Sequence, residues 1–169
     1  RYYHKDFIQG VKNLWKWFPT IWKDRDWDHG FIYEVIKVKL KNQAKYIDFH
    51  NRHTRAKRDA EKMLLCTKLI QRCQDDHYNM EYMDYHDSDY NWIDCDTPGH
   101  KQLDIVQNKE WFDDYFKKYP HAYREVMKEN NFNVDDKERI AMHMGYYLAT
   151  KAHNLFFSIL EKNIYKWWD

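Results

Sequence analysis

The sequence predicts an all-α protein, a helical bundle of five or six helices of which three are long. Apolar residues recur at three- and four-residue spacing over most of the chain, as they do on one face of a helix. Only 4 Gly and 3 Pro occur in 169 residues, which is too few for the turns of a sandwich built from short strands.

The helices follow from this spacing in chain order. The first covers residues 3–18 and ends before Pro19, because proline disfavours helical geometry in the residue that precedes it. Asp26 or Asp28 is expected to cap the second helix, which we expect to continue nearly unbroken into the third, with a bend near Asn51. The predicted helices after the first cover residues 29–49, 54–76, 109–118, 121–129 and 136–167.

Residues 84–107 interrupt the helical pattern. They are acidic, rich in turn-forming residues and without periodicity, which predicts one long acidic loop between two helical halves. We therefore predict a single helical domain over residues 1–169. The stretch Asp87-Ser-Asp-Tyr-Asn91 begins like a calcium-binding EF-hand loop, but Trp92 and Pro98 stand where such a loop has Gly and Glu, so no calcium site of that type is expected.

Charge and cysteine content exclude several classes of protein. The net charge of +1 argues against a polycation that coats nucleic acid. The 3 Cys include no Cys-x-x-Cys pair, which argues against a disulfide framework or a four-cysteine zinc site and favours a reducing cytoplasm. No apolar stretch approaches 18 residues and the first residues contain no signal-peptide core, so we expect no membrane partner.

Motifs of catalysis are absent from the sequence. It contains no Gly-x-Ser-x-Gly, no P-loop and no Gly-x-Gly-x-x-Gly. The 10 His include no His-Glu-x-x-His, and His143 and His153 lie too far apart on one helix to bind one ion together. We therefore predict that the protein is not an enzyme and has no catalytic residue, no metal and no cofactor.

The densest group of chemically capable residues is the stretch from Trp22 to His29. Arg25 has the forked geometry that binds a phosphate or carboxylate, and Trp22 or Trp27 offers a ring for stacking. The structural alternative is that the aspartates cap the next helix, that Arg25 pairs with a carboxylate, and that both tryptophans fill the core. Both interpretations stay open.

Two further candidates come from the long helices. His143 and Tyr147 flank Gly145, and a glycine inside a helix indicates the close approach of another group. Between residues 37 and 58 the chain carries eight basic residues and one acidic residue, a net charge of +7, against −5 over residues 84–104. This basic face is either a phosphate site or a solvated surface, and its expected residues are Lys37, Lys41, Lys45, Arg52 and Arg55.

Several stretches resemble one family. Residues 22–28 spell Trp-Lys-Asp-Arg-Asp-Trp-Asp, and the chain ends in Trp-Trp-Asp. Together with Tyr33–Leu40 and Gln74–Tyr82, they are similar to a family of small, uncharacterised helical proteins of tailed bacteriophages. The resemblance covers most of the chain. It implies a phage product in the cytoplasm of the infected bacterial host, and it implies no activity.

A phage context leaves three classes of function. The first is a non-catalytic binding protein, an anti-defence sponge that sequesters a host-defence signalling nucleotide, because rings stack on bases and basic side chains hold phosphates. The alternatives are a protein-partner module (a host-factor inhibitor or a virion component) and a nucleic-acid-associated protein. For the first class we expect a small phosphorylated ligand within the bundle or at a homo-oligomer interface, bound by Trp22, Arg25, Trp27, His143 and Tyr147.

Overall fold

The computed structural model describes the chain except for residues 1–2, 26–27, 29, 52 and 168–169. The structure is 71% helical, with seven α-helices and a small two-stranded sheet. The predicted helical class is thus confirmed in its main part, whereas the predicted number of helices is too low. The helices are α1 (Tyr3–Ile21), α2 (Gly30–His50), α3 (Ala56–Gln74), α4 (His77–Met80), α5 (Phe112–Lys118), α6 (Pro120–Glu129) and α7 (Lys137–Asn163).

The sheet lies where a loop was expected, so the prediction of one long acidic loop over residues 84–107 is wrong. Strands β1 (His86–Asp94) and β2 (Lys101–Glu110) pair antiparallel, joined by a turn in which Gly99 has a φ of 79°. The register places Tyr90 opposite Ile105 and Trp92 opposite Leu103. These cross-strand pairs explain why the segment forms strands despite its many aspartates.

The helix boundaries differ from the predicted ones at two places. Helix α1 runs past Pro19, and the N–H of Trp22 still donates to the carbonyl of Phe18 at 2.9 Å. Helices α2 and α3 are not continuous, because Asn51 takes a left-handed φ of 42° and ends the first of them. The expected cap is present, since the carboxylate of Asp28 accepts from the N–H of Gly30 at 2.8 Å.

The chain divides into two compact units, which are described separately. The first unit, Arg1–Gln71 and Ser158–Asp169, contains α1, α2, most of α3 and the C-terminal end of α7. Two hydrogen bonds tie that end down: Gln43 Nε2 donates to the carbonyl of Trp167 and Lys62 Nζ donates to Asn163 Oδ1, both at 2.6 Å. Its buried apolar residues are Leu40, Ala44, Ile47, Ala56, Ala60, Met63, Cys66, Leu69, Ile70 and Trp167.

The second unit, Arg72–Phe157, contains the hairpin and most of α7. Helices α5 and α6 pack with α7 around one apolar cluster: Phe112, Tyr115, Ala122, Val126, Ile140, Ala141 and Met144. A Cβ built on Gly145 would lie 2.8 Å from the carbonyl oxygen of Tyr78. The close approach expected at Gly145 is therefore made by the backbone at α4, and this contact requires glycine.

Candidate ligand-binding cavity

A cavity of about 380 Å³ lies in the first unit. It is formed where α1 and α2 face each other beside Trp167. Ligand sites in proteins commonly range from about 300 to 1,000 Å³, so this cavity has room for one ring-containing molecule. The lining residues are Asn13, Lys16, Trp17, Lys39, Asn42, Gln43, Tyr46, Ile47 and Trp167.

The local sequence of both helices explains this lining. Asn13, Lys16 and Trp17 lie at three- and four-residue spacing, so they share one side of α1. The four polar residues that α2 contributes span Lys39 to Tyr46 with the same spacing, which places them on a single face. Each helix thus presents a strip of polar and aromatic groups to the cavity.

Three aromatic residues form walls of the cavity. Trp17 is half-buried, Tyr46 is more exposed, and Trp167 is only 2% exposed. The indole Nε1 of Trp167 is buried and finds no hydrogen-bond acceptor among the described residues. A buried N–H without an acceptor costs about 1–3 kcal/mol.

The polar lining is positive in charge. Lys16 and Lys39 are exposed lysines that line the cavity, and the lining residues that the structure describes include no carboxylate. Asn13, Asn42 and Gln43 supply amides that donate and accept, although Gln43 already gives its Nε2 to the carbonyl of Trp167. The chemistry of the cavity therefore favours an anion that carries a flat polar ring.

Comparison of the chain with protein-family models, with curated proteins and with solved structures found no match. The resemblance to tailed-bacteriophage proteins thus stays a prediction.

The predicted corner after α1 is exposed. Trp22 is 73% exposed and packs against Phe18 with ring centroids 5.2 Å apart, so it does not fill the core. Among the described residues, the guanidinium of Arg25 donates to the backbone oxygen of Asp24 at 2.8 Å, and not to a carboxylate. Trp27 lies outside the described residues. Neither Trp22 nor Arg25 lines the cavity.

The other predicted ligand-binding residues, His143 and Tyr147, belong to the second unit. His143 is half-buried against the ring of Phe132, with centroids 4.8 Å apart. The hydroxyl of Tyr147 lies 3.4 Å from Nδ1 of His121. Both residues pack on neighbouring rings of their own unit.

Only some residues of the predicted basic face are exposed. Lys37 is 4% exposed, because its Nζ forms a salt bridge with Glu34 at 2.5 Å and donates to Gln71 at 2.7 Å. Lys41, Lys45 and Arg55 are exposed, and Arg52 lies outside the described residues. Because Lys37 is buried and already paired, it is not available to a phosphate. The expected row of exposed lysines at four-residue spacing therefore lacks its first member.

A polar cluster in the second unit has no counterpart among the predicted sites. The buried carboxylate of Glu81 accepts from Lys118 Nζ at 2.5 Å and from the Tyr119 hydroxyl at 2.9–3.0 Å. Burial, followed by the hydrogen bond to Glu81, raises the pKa of Tyr119 to about 12. These groups satisfy one another, so the cluster stabilises the fold and offers no free donor set to a ligand.

Metal-ligating and thiol groups are dispersed in the described structure. No three His, Cys, Asp or Glu side chains there come together in a way that would hold a metal ion. Cys66, Cys73 and Cys95 are free thiols, and burial raises the pKa of Cys66 to about 11. Within the described ranges, no helix is both long and apolar enough to cross a membrane.

Proposed function

We propose that the protein is a phage-encoded binding protein that holds a small phosphorylated, base-containing ligand in the cavity of the first unit. The lining of the cavity carries this proposal, because it combines aromatic rings with lysines around a space large enough for one ring-containing molecule. A signalling nucleotide of host defence has the required acceptors, base and phosphate. Such a protein acts in the cytoplasm of the infected host by sequestration.

Each part of the ligand has a partner in the cavity. Trp17 and Tyr46 offer faces on which a base stacks, which is worth about 1–3 kcal/mol per base. Lys16 and Lys39 offer cations to the phosphate. Among the described residues, the lining contains no carboxylate, imidazole or thiol to act as a nucleophile or as a base near neutral pH, which supports binding without turnover.

The test is calorimetry at physiological salt against mononucleotides, cyclic dinucleotides, cyclic oligonucleotides and ADP-ribose derivatives. We expect at least one to bind at micromolar concentration. The variant Lys39→Ala removes a cavity cation and should weaken binding by about tenfold or more, the equivalent of one charge-assisted hydrogen bond. The matched control is Lys41→Ala, an exposed lysine of the same helix that does not line the cavity.

Two outcomes would contradict the proposal. The first is that no member of the panel binds below about 10 μM, the weak end of the micromolar range. The second is that Lys39→Ala and Lys41→Ala weaken binding equally, since the attraction would then come from general charge and not from the cavity.

The hairpin favours a second candidate function, a protein-partner module. Tyr90, Trp92, Leu103 and Ile105 lie on one face of the hairpin and all are exposed, with Trp92 at 66%. Exposed apolar patches of this kind mark protein contacts. Native mass spectrometry of protein purified from infected cells separates the two candidates. A bound small molecule supports ligand sequestration. A host protein that copurifies stoichiometrically with the unmodified chain, but not with Trp92→Ser, supports the protein-partner module.

A further inference from the structure

Helix α1 turns its apolar side to solvent. None of its residues is buried, although its apolar and polar residues segregate strongly. Trp15 is 77% exposed, and no other side chain of the described structure covers this face enough to bury it. We name this face the α1 stripe, and its residues are Tyr3, Phe7, Ile8, Val11, Leu14, Trp15, Phe18, Ile21 and the adjoining Trp22.

The opposite side of α1 faces the rest of its unit. Asn13, Lys16 and Trp17 line the cavity together with residues of α2. The helix therefore lies with its polar side inward and its apolar side outward. A helix of this length is marginal in water on its own and gains its stability from burying an apolar face. The α1 stripe has the apolar composition of a buried helix face, but its side chains are exposed.

We propose that the α1 stripe packs against the α1 stripe of a second copy of this chain. Phe7, Val11, Leu14, Phe18 and Ile21 follow one another at spacings of four, three, four and three residues. This is the spacing by which two helices interlock their side chains. The proposal is independent of the proposed function, because the cavity lies on the other side of α1.

The spacing also fits an antiparallel pair. The spacing of Phe7, Val11, Leu14 and Phe18, which is four, three and four residues, is symmetric about the midpoint between Lys12 and Asn13, so an antiparallel pair places Phe7 of each chain against Phe18 of the other. In the same arrangement, Val11 of each chain contacts Leu14 of the other. A two-fold interface built from one self-complementary patch closes after two copies. The structure therefore favours a dimer and not an open filament.

The area of the stripe is sufficient for a stable dimer. Its five aromatic side chains bury about 150–250 Å² each when fully covered, so with the aliphatic residues and the present exposures the face offers roughly 1,000 Å² per chain. A stable interface needs about 800 Å² from each partner. Association of α1 alone reaches that size when the partner covers about four-fifths of the face.

The charges around the stripe favour a second copy over an anionic lipid surface. Lys5 and Lys12 lie along one edge of the stripe, and the other edge carries Asp6. A helix that lies in a bilayer interface uses a cationic polar face against the headgroups, whereas here the polar side is occupied by contacts with α2. The lysines stay solvated at the edge of an antiparallel helix pair.

The experiment is sedimentation velocity of the full chain from about 1 to 100 μM, the range in which micromolar dimers dissociate. We expect a dimer for the unmodified chain. Leu14→Glu, which places a charge at the centre of the stripe, should raise the dimer dissociation constant at least 100-fold. The matched control Lys12→Glu changes the charge more but lies off the stripe, and should leave the dimer intact.

Circular dichroism checks that both variants keep the helices outside α1, which the structure allows because α1 has no buried residue. Three results would overturn the proposal: a monomeric unmodified chain, equal dissociation by Leu14→Glu and Lys12→Glu, or a monomer that sediments with vesicles of anionic phospholipid. The last result would assign the stripe to a lipid surface.

Cross-linking tests the direction of packing. An equimolar mixture of Phe7→Cys and Phe18→Cys chains should form an interchain disulfide on mild oxidation, with the unmodified chain as the blank for its native thiols. Phe7→Cys alone should not, because in the antiparallel pair its two copies lie about 16 Å apart along the helix axis and a disulfide needs Cα atoms within about 7 Å. A disulfide in Phe7→Cys alone would overturn the antiparallel arrangement.

Discussion

At the scale of single residues, Gly145 has the sharpest steric constraint. A methyl group at this position would meet the carbonyl oxygen of Tyr78 at 2.8 Å, and that oxygen belongs to backbone that cannot rotate away. We expect Gly145→Ala to lower the free energy of unfolding by about 1–3 kcal/mol, the usual cost of overpacking, less the gain in helix propensity. Urea denaturation measures the difference.

Gly10 provides the control for that prediction. It also lies inside a helix, but a Cβ there meets no atom of the described structure within 4 Å. Gly10→Ala should therefore stabilise the protein by up to about 1 kcal/mol through helix propensity alone. If both substitutions stabilise, the contact between Gly145 and the backbone at α4 is looser than the structure has it.

Tyr119 gives a prediction about pH. Its pKa rises from 10 to about 12, first because it is buried and then because its hydroxyl donates to Glu81. The unfolded chain therefore releases this proton at a lower pH than the folded chain does. The corresponding stability is complete below pH 10 and is lost as the pH rises towards 12.

The measurement is urea denaturation between pH 8 and 12. Tyr119→Phe should be less stable than the unmodified chain at pH 8, because Glu81 loses a donor, and should lose less stability above pH 10. Tyr165→Phe is the control, since Tyr165 is 88% exposed and should change neither value. An unchanged alkaline slope in Tyr119→Phe would contradict this role of the hydroxyl.

At the scale of elements, the start of α2 depends on one carboxylate. Asp28 accepts from the N–H of Gly30, so Asp28→Ala should cost about 1 kcal/mol of stability. Asp28→Asn keeps an acceptor and should cost less, which separates the hydrogen bond from the charge. Thermal unfolding measures both, and equal losses in the two variants would assign the effect to the charge at the helix N-terminus.

The elements differ in how far local sequence predicted them. Helices with a wide apolar stripe, such as α2 and α7, lie within a few residues of their predicted bounds because helical spacing is a local property. The hairpin was missed, since its stabilising pairs join Tyr90 to Ile105 and Trp92 to Leu103 across a turn. Strand pairing of this kind depends on register between distant residues, which composition does not reveal.

At the scale of the whole molecule, the candidate cavity lies away from the predicted site residues that the structure describes. Rings and cations line the cavity, but they come from Trp17, Trp167 and Lys39, and neither Trp22 nor Arg25 is among them. The strip on α2 that includes Lys39 and Tyr46 is visible in the sequence as helical spacing. Its partner, Trp167, lies more than 120 residues away and gave no local signal.

The sequence by itself determined the helical class and limited the cap of α2 to Asp26 or Asp28, because each follows from spacing or from neighbouring residues. The need for glycine at position 145 comes from a contact with the distant carbonyl of Tyr78. Only the tertiary structure decided which side of each helix points inward. It buried Lys37 against Gln71, brought Trp167 to α2 and left the α1 stripe in solvent. These outcomes depend on contacts between residues that are distant in the sequence. Such contacts contribute to the free energy of folding only once the chain has folded.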